Sequence, residues 1–292
     1  MPALTATTVR RRLSRADPAL GRLIAAAGPL ELTADPASSP FRHLARAIAH
    51  QQLNGTAANA ILRRFVALYR DDSRGSPPAA PPAPPEPVLA DYTATRDALF
   101  PTPAQVLATA DALLRGVGFS FAKIAALKDL SAKALDGVVP DTATLLALED
   151  EAIIARLTTV RGIGRWTVEM MLMFQLGRPD VLPVDDFGVR NGFRLAYGLR
   201  ALPTPRALAQ YGAIWAPHRS AASWYLWRAV DLARAGQLPE PLRPAPRVAV
   251  VGGRKAAARR KAPARGQRSK PVRRAGGAAS AARRPRSGAR TR

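Results

Sequence analysis

Leu157–Gly192 reads LTTVRGIGRWTVEMMLMFQLGRPDVLPVDDFGVRNG, and the reading of this stretch decides the fold. Gly162-Ile163-Gly164 separates a helical run ending at Leu157-Thr158 from one opening at Trp166-Thr167. Glycines on both sides of one apolar residue permit a hairpin between helices with its backbone N–H groups facing outward, and the helix N-terminus that follows favours an anion. Such a hairpin would grip a phosphate through main chain and stay blind to base sequence. The same triplet also fits a plain helix–helix loop with a glycine C-cap. Arg161 and Arg165 beside it weigh toward the anion. Further on, Leu182-Pro183-Val184 leads to Asp185 and Asp186, and Phe187-Gly188-Val189-Arg190 opens the next helix. An aspartate there is either an ordinary N-cap or a carboxylate at the mouth of a cleft. One of the pair can cap while the other faces the cleft.

Outward from this stretch, the chain predicts helices and short loops. Residues 1–40 carry one or two short helices, with Asp17 as N-cap, Pro18 at the first helical position and Leu20, Leu23 and Ile24 as an apolar stripe. Residues 41–69 read as two helices joined at the polar turn His50-Gln51-Gln52-Leu53-Asn54-Gly55. Leu44, Ile48, Leu53, Ala57, Ile61 and Phe65 are expected inward, and Arg46, Arg63 and Arg64 outward. A proline-rich insertion at 73–90 contains SPPAAPPAPPEP, which cannot be helix or central strand because each proline removes a donor and restricts its neighbour.

Residues 99–135 predict helix, turn, helix. Thr102-Pro103 starts the first, Gly116-Val117-Gly118 ends it, Ser120 caps the second, and Ile124, Leu127 and Leu130 face inward. Residues 142–157 read as one helix with Leu145, Leu146, Ile153 and Ile154 inward, and 205–233 as two, with Trp215 on the first. No segment reads as a strand, so an all-α fold is expected over a domain of residues 1–244. Residues 245–292 are rich in Lys, Arg, Ala and Pro, and are expected to form a disordered tail.

Composition excludes several classes. With no cysteine there is no disulfide, thiolate zinc site or iron–sulfur cluster, and the three histidines (His43, His50, His218) make no H-x-x-x-H pair. No leader-like stretch and no run of about 18 apolar residues occurs. The expectation is a cytoplasmic, nucleoid-associated monomer with no membrane partner. Of the formal charge of +23, 17 Lys or Arg follow Glu240, the last acidic residue, and residues 1–240 carry the remaining +6. A basic body with a basic tail points to a polyanion, most often nucleic acid. Trp166, Tyr197, Trp215, Trp224, Tyr225 and Trp227 are either core aromatics or a pocket that stacks an extruded base. Arg219 and Arg228 either meet phosphate or decorate the surface.

Together these features resemble the helix–hairpin–helix DNA glycosylase superfamily, and within it the 3-methyladenine DNA glycosylase II (alkylbase glycosylase) group. The segments that carry the likeness are RAIAHQQLNGTAANAI at 46–61, LLRGVGFSFAKIAAL at 113–127, RGIGRWT at 161–167, LPVDDFGVRNG at 182–192 and WAPHRSAASWYLWR at 215–228. They span roughly residues 10–235. The hairpin and the aspartate loop at this spacing are specific together, although neither is alone.

The resemblance implies a two-lobed helical fold with double-stranded DNA across a cleft. It implies that Asp186, 20 residues after Trp166, is the catalytic carboxylate, with Asp185 as the second candidate. It puts Arg161, Gly162, Ile163, Gly164, Arg165 and Thr167 on the DNA backbone and Trp166, Trp227 and Met170 around the flipped base. Gln52 or Leu53 would fill the gap left in the helix, and Arg219 would contact phosphate. Trp166 stands where lyase relatives carry a Schiff-base lysine, so hydrolysis without strand cleavage is expected. The chemistry implied needs no metal or other cofactor, although the group's hairpin carbonyls often hold a monovalent cation. The chain departs from the group in its proline-rich insertion, its basic tail and Asn54, where serine is expected. The tail is similar to those of DNA-compacting proteins. Two other readings remain: a non-catalytic protein that binds DNA through the same hairpin, and a glycosylase for oxidised or mismatched bases.

Overall fold

The computed structural model describes residues 5–69, 100–242, 246 and 248–251. The proline-rich insertion at 73–90 and the chain beyond 251 lie outside the described residues. Four helices precede the insertion: α1 (Ala6–Ala16), α2 (Pro18–Ala27), α3 (Pro40–His50) and α4 (Gly55–Ala67). After it come α5 (Pro103–Ala108), α6 (Asp111–Gly116), α7 (Phe121–Leu135), α8 (Thr142–Leu146), α9 (Asp150–Leu157) and α10 (Arg165–Phe174). The last three are α11 (Phe187–Ala196), α12 (Pro205–Gly212) and α13 (Arg219–Arg234).

Local chemistry sets most of the starts. Asp17, Ser39, Asn54, Thr102, Ser120, Asp141, Asp186 and Thr204 each accept a backbone N–H from the first turn of the helix they precede. Pro18, Pro40, Pro103 and Pro205 follow four of these caps, where a missing N–H costs nothing.

Apolar periodicity then sorts the helices into two buried clusters. The first is built from the middle of the chain, α3 to α10, and includes Leu44, Ile48, Phe65, Phe119, Leu127, Leu157, Ile163 and Met171. The second joins the two ends: Leu13, Leu20, Leu23 and Ile24 pack with Val189, Phe193, Tyr197, Leu208, Trp215, Tyr225 and Leu226. The chain thus leaves one lobe, builds the other and returns. Trp227 packs against both clusters.

Two contacts fix the second lobe. Asp17, 2% exposed, caps α2 through Oδ1, while its Oδ2 accepts Tyr197 Oη–H at 2.5 Å and Trp215 Nε1–H at 2.9 Å. The chain's first helices are thereby tied to residues about 180 and 198 positions later. At Gly192 the backbones of α11 and α13 meet: a Cβ there would lie 1.8 Å from the Leu226 carbonyl oxygen. Only glycine allows that approach.

Four expectations are corrected. Residues 142–157 form two helices, because the chain breaks at Ala147–Glu149, and Leu146 is consequently 45% exposed rather than inward. The helix starting at Thr102 ends at Ala108 and α6 begins at Asp111, so that run is also two helices. Trp215 closes a short 3-10 turn, Ala213–Trp215, instead of lying in α12. Residues 248–251 are docked on the body: Thr204 N–H donates to Ala249 O and Val251 N–H to Leu202 O, each at 2.8 Å. The body therefore extends past the expected boundary at 244. Among the described residues there is one isolated bridge, Pro203 with Val250, and no named strand, in keeping with an all-α fold.

Candidate active site

The hairpin is anchored by its middle residue. Ile163 is 4% exposed in the first core cluster, and the glycines on either side free the chain to turn. Gly162 has φ +77°, a left-handed conformation that favours glycine. Gly164 is the N-cap of α10 with no side-chain cap bond, and a Cβ there would meet open space. The first turn of α10 is therefore an uncapped, accessible helix N-terminus with inward-anchored flanks, the form that suits a phosphate.

Neighbouring side chains brace this hairpin from behind. Asp129 Oδ2 accepts the Arg161 N–H at 2.7 Å and the Lys133 ammonium at 2.8 Å. Lys133 also donates to Thr159 O at 2.5 Å, and Gln51 Nε2–H donates to Gly162 O at 2.7 Å.

The basic residues around the hairpin separate. Arg161 is exposed, with no ion pair among the described residues. Arg165, expected to face phosphate, is held by acids instead: its fork grips Glu151 and its Nε–H donates to Glu169 Oε1 at 3.1 Å. Thr167 is 6% exposed. Arg219, also expected on phosphate, makes a bidentate pair with Asp180 at 2.7 and 2.8 Å.

The aspartate loop follows α10 in the chain but packs back against its first turn, beside the hairpin. Asp185 is exposed. Asp186 caps α11 and remains partly exposed. Its Oδ1 accepts Val189 N–H at 2.7 Å and Trp227 Nε1–H at 2.8 Å, and its Oδ2 accepts Trp166 Nε1–H at 2.8 Å. Three N–H donors from α10, α11 and α13 thus orient one carboxylate. Gly188 permits this closure, since a Cβ there would lie 2.7 Å from Trp227 Cδ1.

Around the carboxylate the surface is aromatic. Trp166 is 48% exposed and Phe187 67% exposed. Trp227 stacks on Phe174 at 5.8 Å between centroids, and Met170 packs on the same core. The structure brings Trp166 and Trp227 into direct contact with Asp186. Trp215 and Tyr225 are fully buried, so the core reading holds for them.

Two features escaped sequence reading. Glu169, one turn after Trp166, is 5% exposed, and burial pushes its carboxyl up to about 7 against the pull of Arg165. Its i,i+4 spacing from Arg165 was the available signal. The other is the exposed Phe187, directly after the carboxylate.

The turn at 50–54 stands on the hairpin's flank through Gln51. Gln52 adopts φ +57°, and Leu53 is 40% exposed rather than inward as its stripe predicts. A non-glycine residue in that region costs about 1–3 kcal/mol and persists where surrounding contacts hold it.

Comparisons with known proteins agree with this geometry. The family model described as "HhH-GPD superfamily base excision DNA repair protein" matches residues 45–217. DNA-3-methyladenine glycosylase 1 of Schizosaccharomyces pombe is 37% identical over 205 residues, covering 70% of this chain and 77% of that protein. A solved structure of S. pombe 3-methyladenine DNA glycosylase in complex with abasic DNA superposes with TM-score 0.63 at 34% identity, covering 77% of this chain and 98% of that one. The DNA-3-methyladenine glycosidase of Bacillus halodurans gives TM-score 0.61 at 30% identity, covering 77% and 91%. Hairpin, carboxylate loop, two-lobed helical core and these likenesses converge: the chain belongs to the HhH-GPD superfamily of base excision DNA repair proteins.

Proposed function

We propose that the protein is a monofunctional DNA glycosylase that flips alkylated bases such as 3-methyladenine out of double-stranded DNA and releases them by hydrolysis. The observation that carries this reading is the Asp186 carboxylate, oriented by Trp166, Trp227 and Val189 beside exposed aromatic surface. Relatives named as 3-methyladenine glycosylases support the substrate class.

The chemistry follows from charge. An N-alkylated purine is cationic, so breaking its bond to C1′ returns the electron pair to the base and neutralises it. Little acid help is needed. The sugar becomes oxocarbenium-like, and a fixed carboxylate beside C1′ stabilises that charge more in the transition state than in the ground state. Water then adds to C1′ and loses its proton, with Asp186 as the acceptor. The indoles favour an electron-poor base through stacking and cation–π attraction. Trp166 offers no amine, so no Schiff base forms and the abasic strand stays intact.

The hairpin and Arg161 serve the DNA backbone in this scheme, with Gln52 or Leu53 in the vacated stack. The basic tail adds sequence-independent, salt-sensitive affinity. A monovalent cation at the hairpin belongs to the same reading. Main-chain carbonyls are neutral, hard oxygen donors suited to such an ion. Those of Thr159, Gly162, Val160 and Gly164 already accept from Lys133, Gln51 and backbone N–H groups, so a cation would share hairpin carbonyls with these donors. The working form in this reading is a cytoplasmic, nucleoid-associated monomer.

The test is incubation with methylated duplex DNA, identification of the released bases and an assay for strand cleavage. Release of 3-methyladenine without cleavage is expected. Cleavage at the abasic site, or no release at all, would overturn the proposal.

A further inference from the structure

The turn carrying Gln52 and Leu53 is built against local preference. Gln51 (φ −54°, ψ 128°) and Gln52 (φ +57°) form the centre of a type II turn, closed by Leu53 N–H to His50 O at 3.2 Å. The third position of such a turn favours glycine. Gln52 is the only non-glycine residue with a left-handed φ among the described residues.

Two side chains tie this segment down. Lys123, in the first turn of α7, donates to Ala49 O at 2.8 Å, at the end of α3. Gln51 crosses to the hairpin and donates to Gly162 O at 2.7 Å, a bond between residues 111 positions apart. Its acceptor is itself fixed. A Cβ on Gly162 would touch Ala126 of α7 at 3.4 Å, and Asp129, a turn further along α7, holds the adjacent Arg161 N–H.

We propose that Gln51 is a positioning residue, a strut that joins the phosphate-gripping hairpin to the turn bearing Leu53. The inference rests on the glycosylase reading and adds a task to a residue outside the candidate site. Trp166 lies in the first turn of α10, directly after the hairpin, and holds Asp186. Through Gln51 the same hairpin sets Leu53. The strut therefore fixes the separation between the side chain that enters the base stack and the carboxylate that meets the extruded nucleotide. A neutral amide suits the task, because it donates to a carbonyl without adding charge near DNA.

The test uses the full chain and two duplexes with the same N-methylated purine, one opposite its normal partner and one opposite an abasic site. Extrusion costs less where no partner must be broken. In single-turnover base release, Gln51→Met is expected to be slower on the paired duplex by about tenfold, the size of one lost hydrogen bond, and nearly unchanged on the unpaired one. Leu53→Ala should show the same pattern. The double variant should be no slower than Leu53→Ala, because both act through one wedge.

Equal slowing on both duplexes, or multiplying effects in the double variant, would overturn the strut. If the wild type released no base, the glycosylase reading would fail and the strut would still be tested by stacking. Fluorescence of 2-aminopurine beside the lesion should rise on binding wild type and rise less with Gln51→Met; an equal rise would overturn the proposal.

Discussion

Two aspartates in this chain have nearly the same bonding. Asp17 caps α2, and its second oxygen accepts from Tyr197 and Trp215. Asp186 caps α11 and accepts from Trp227 and Trp166. Helix cap and aromatic donors are common to both. What differs is access: Asp17 is 2% exposed, whereas Asp186 is partly open and its partner Trp166 is 48% exposed. In the sealed case every lone pair serves the fold. In the open case the donors orient a charge toward solvent, where a reacting sugar can meet it. Bonding pattern alone does not separate the two carboxylates; exposure of their partners does.

The comparison is broken most sharply by substituting each aspartate. Asp186→Asn keeps a good N-cap and the side-chain shape but removes the charge. Base release should fall by more than about 100-fold while DNA binding and the unfolding midpoint barely move. Full activity of this variant on methylated DNA would remove Asp186 from the chemistry. Asp17→Ala should do the reverse, costing about 2–4 kcal/mol in urea unfolding because a cap is lost and two buried donors go unpaired. Its activity per folded molecule should match wild type.

The aromatic donors sharpen the same contrast at smaller scale. Trp166→Phe removes one N–H from Asp186 and should slow base release about tenfold with no change in stability. Trp215→Phe removes one from Asp17 and should cost about 1 kcal/mol of stability with no change in rate.

A pH-dependent test concerns the open region's own sealed carboxylate. Glu169, ordinarily near 4.5, is pushed up to about 7 by burial. The unfolded chain releases this proton earlier, so between those values the native state binds more protons. Stability from this group is therefore present at low pH and falls as pH rises toward 7. Glu169→Gln should flatten that part of the pH–stability curve, as followed by thermal unfolding at constant salt.

Much of the fold was legible because its signals are local. Asp17-Pro18, Thr102-Pro103, Ser120 and the Gly162-Ile163-Gly164 turn all lie within a few residues of what they control. The break at Ala147–Glu149 was not, since Leu145, Ile153 and Ile154 keep helical spacing across it. The candidate site was half legible. The family's spacing drew attention to Trp166 and Asp186, but their hydrogen bond, like those of Arg219 with Asp180 and Gln51 with Gly162, joins residues 20, 39 and 111 apart that only packing brings together. The ion pairs of Arg165 with Glu151 and Glu169, and of Arg219 with Asp180, had no signal in the sequence beyond the Arg165–Glu169 spacing.

Gly192 extends the argument to residues without chemistry. It lies six positions after Asp186 and has nothing to donate, accept or stack, yet it lets α11 meet α13 at the Leu226 carbonyl. The gauge between the carboxylate and Trp227 is thus set by an atom the chain lacks. A screen for inactive variants would recover Gly192 beside Asp186, and a redesign that swapped every side chain in the opening would still inherit its dimensions from this one missing methyl group.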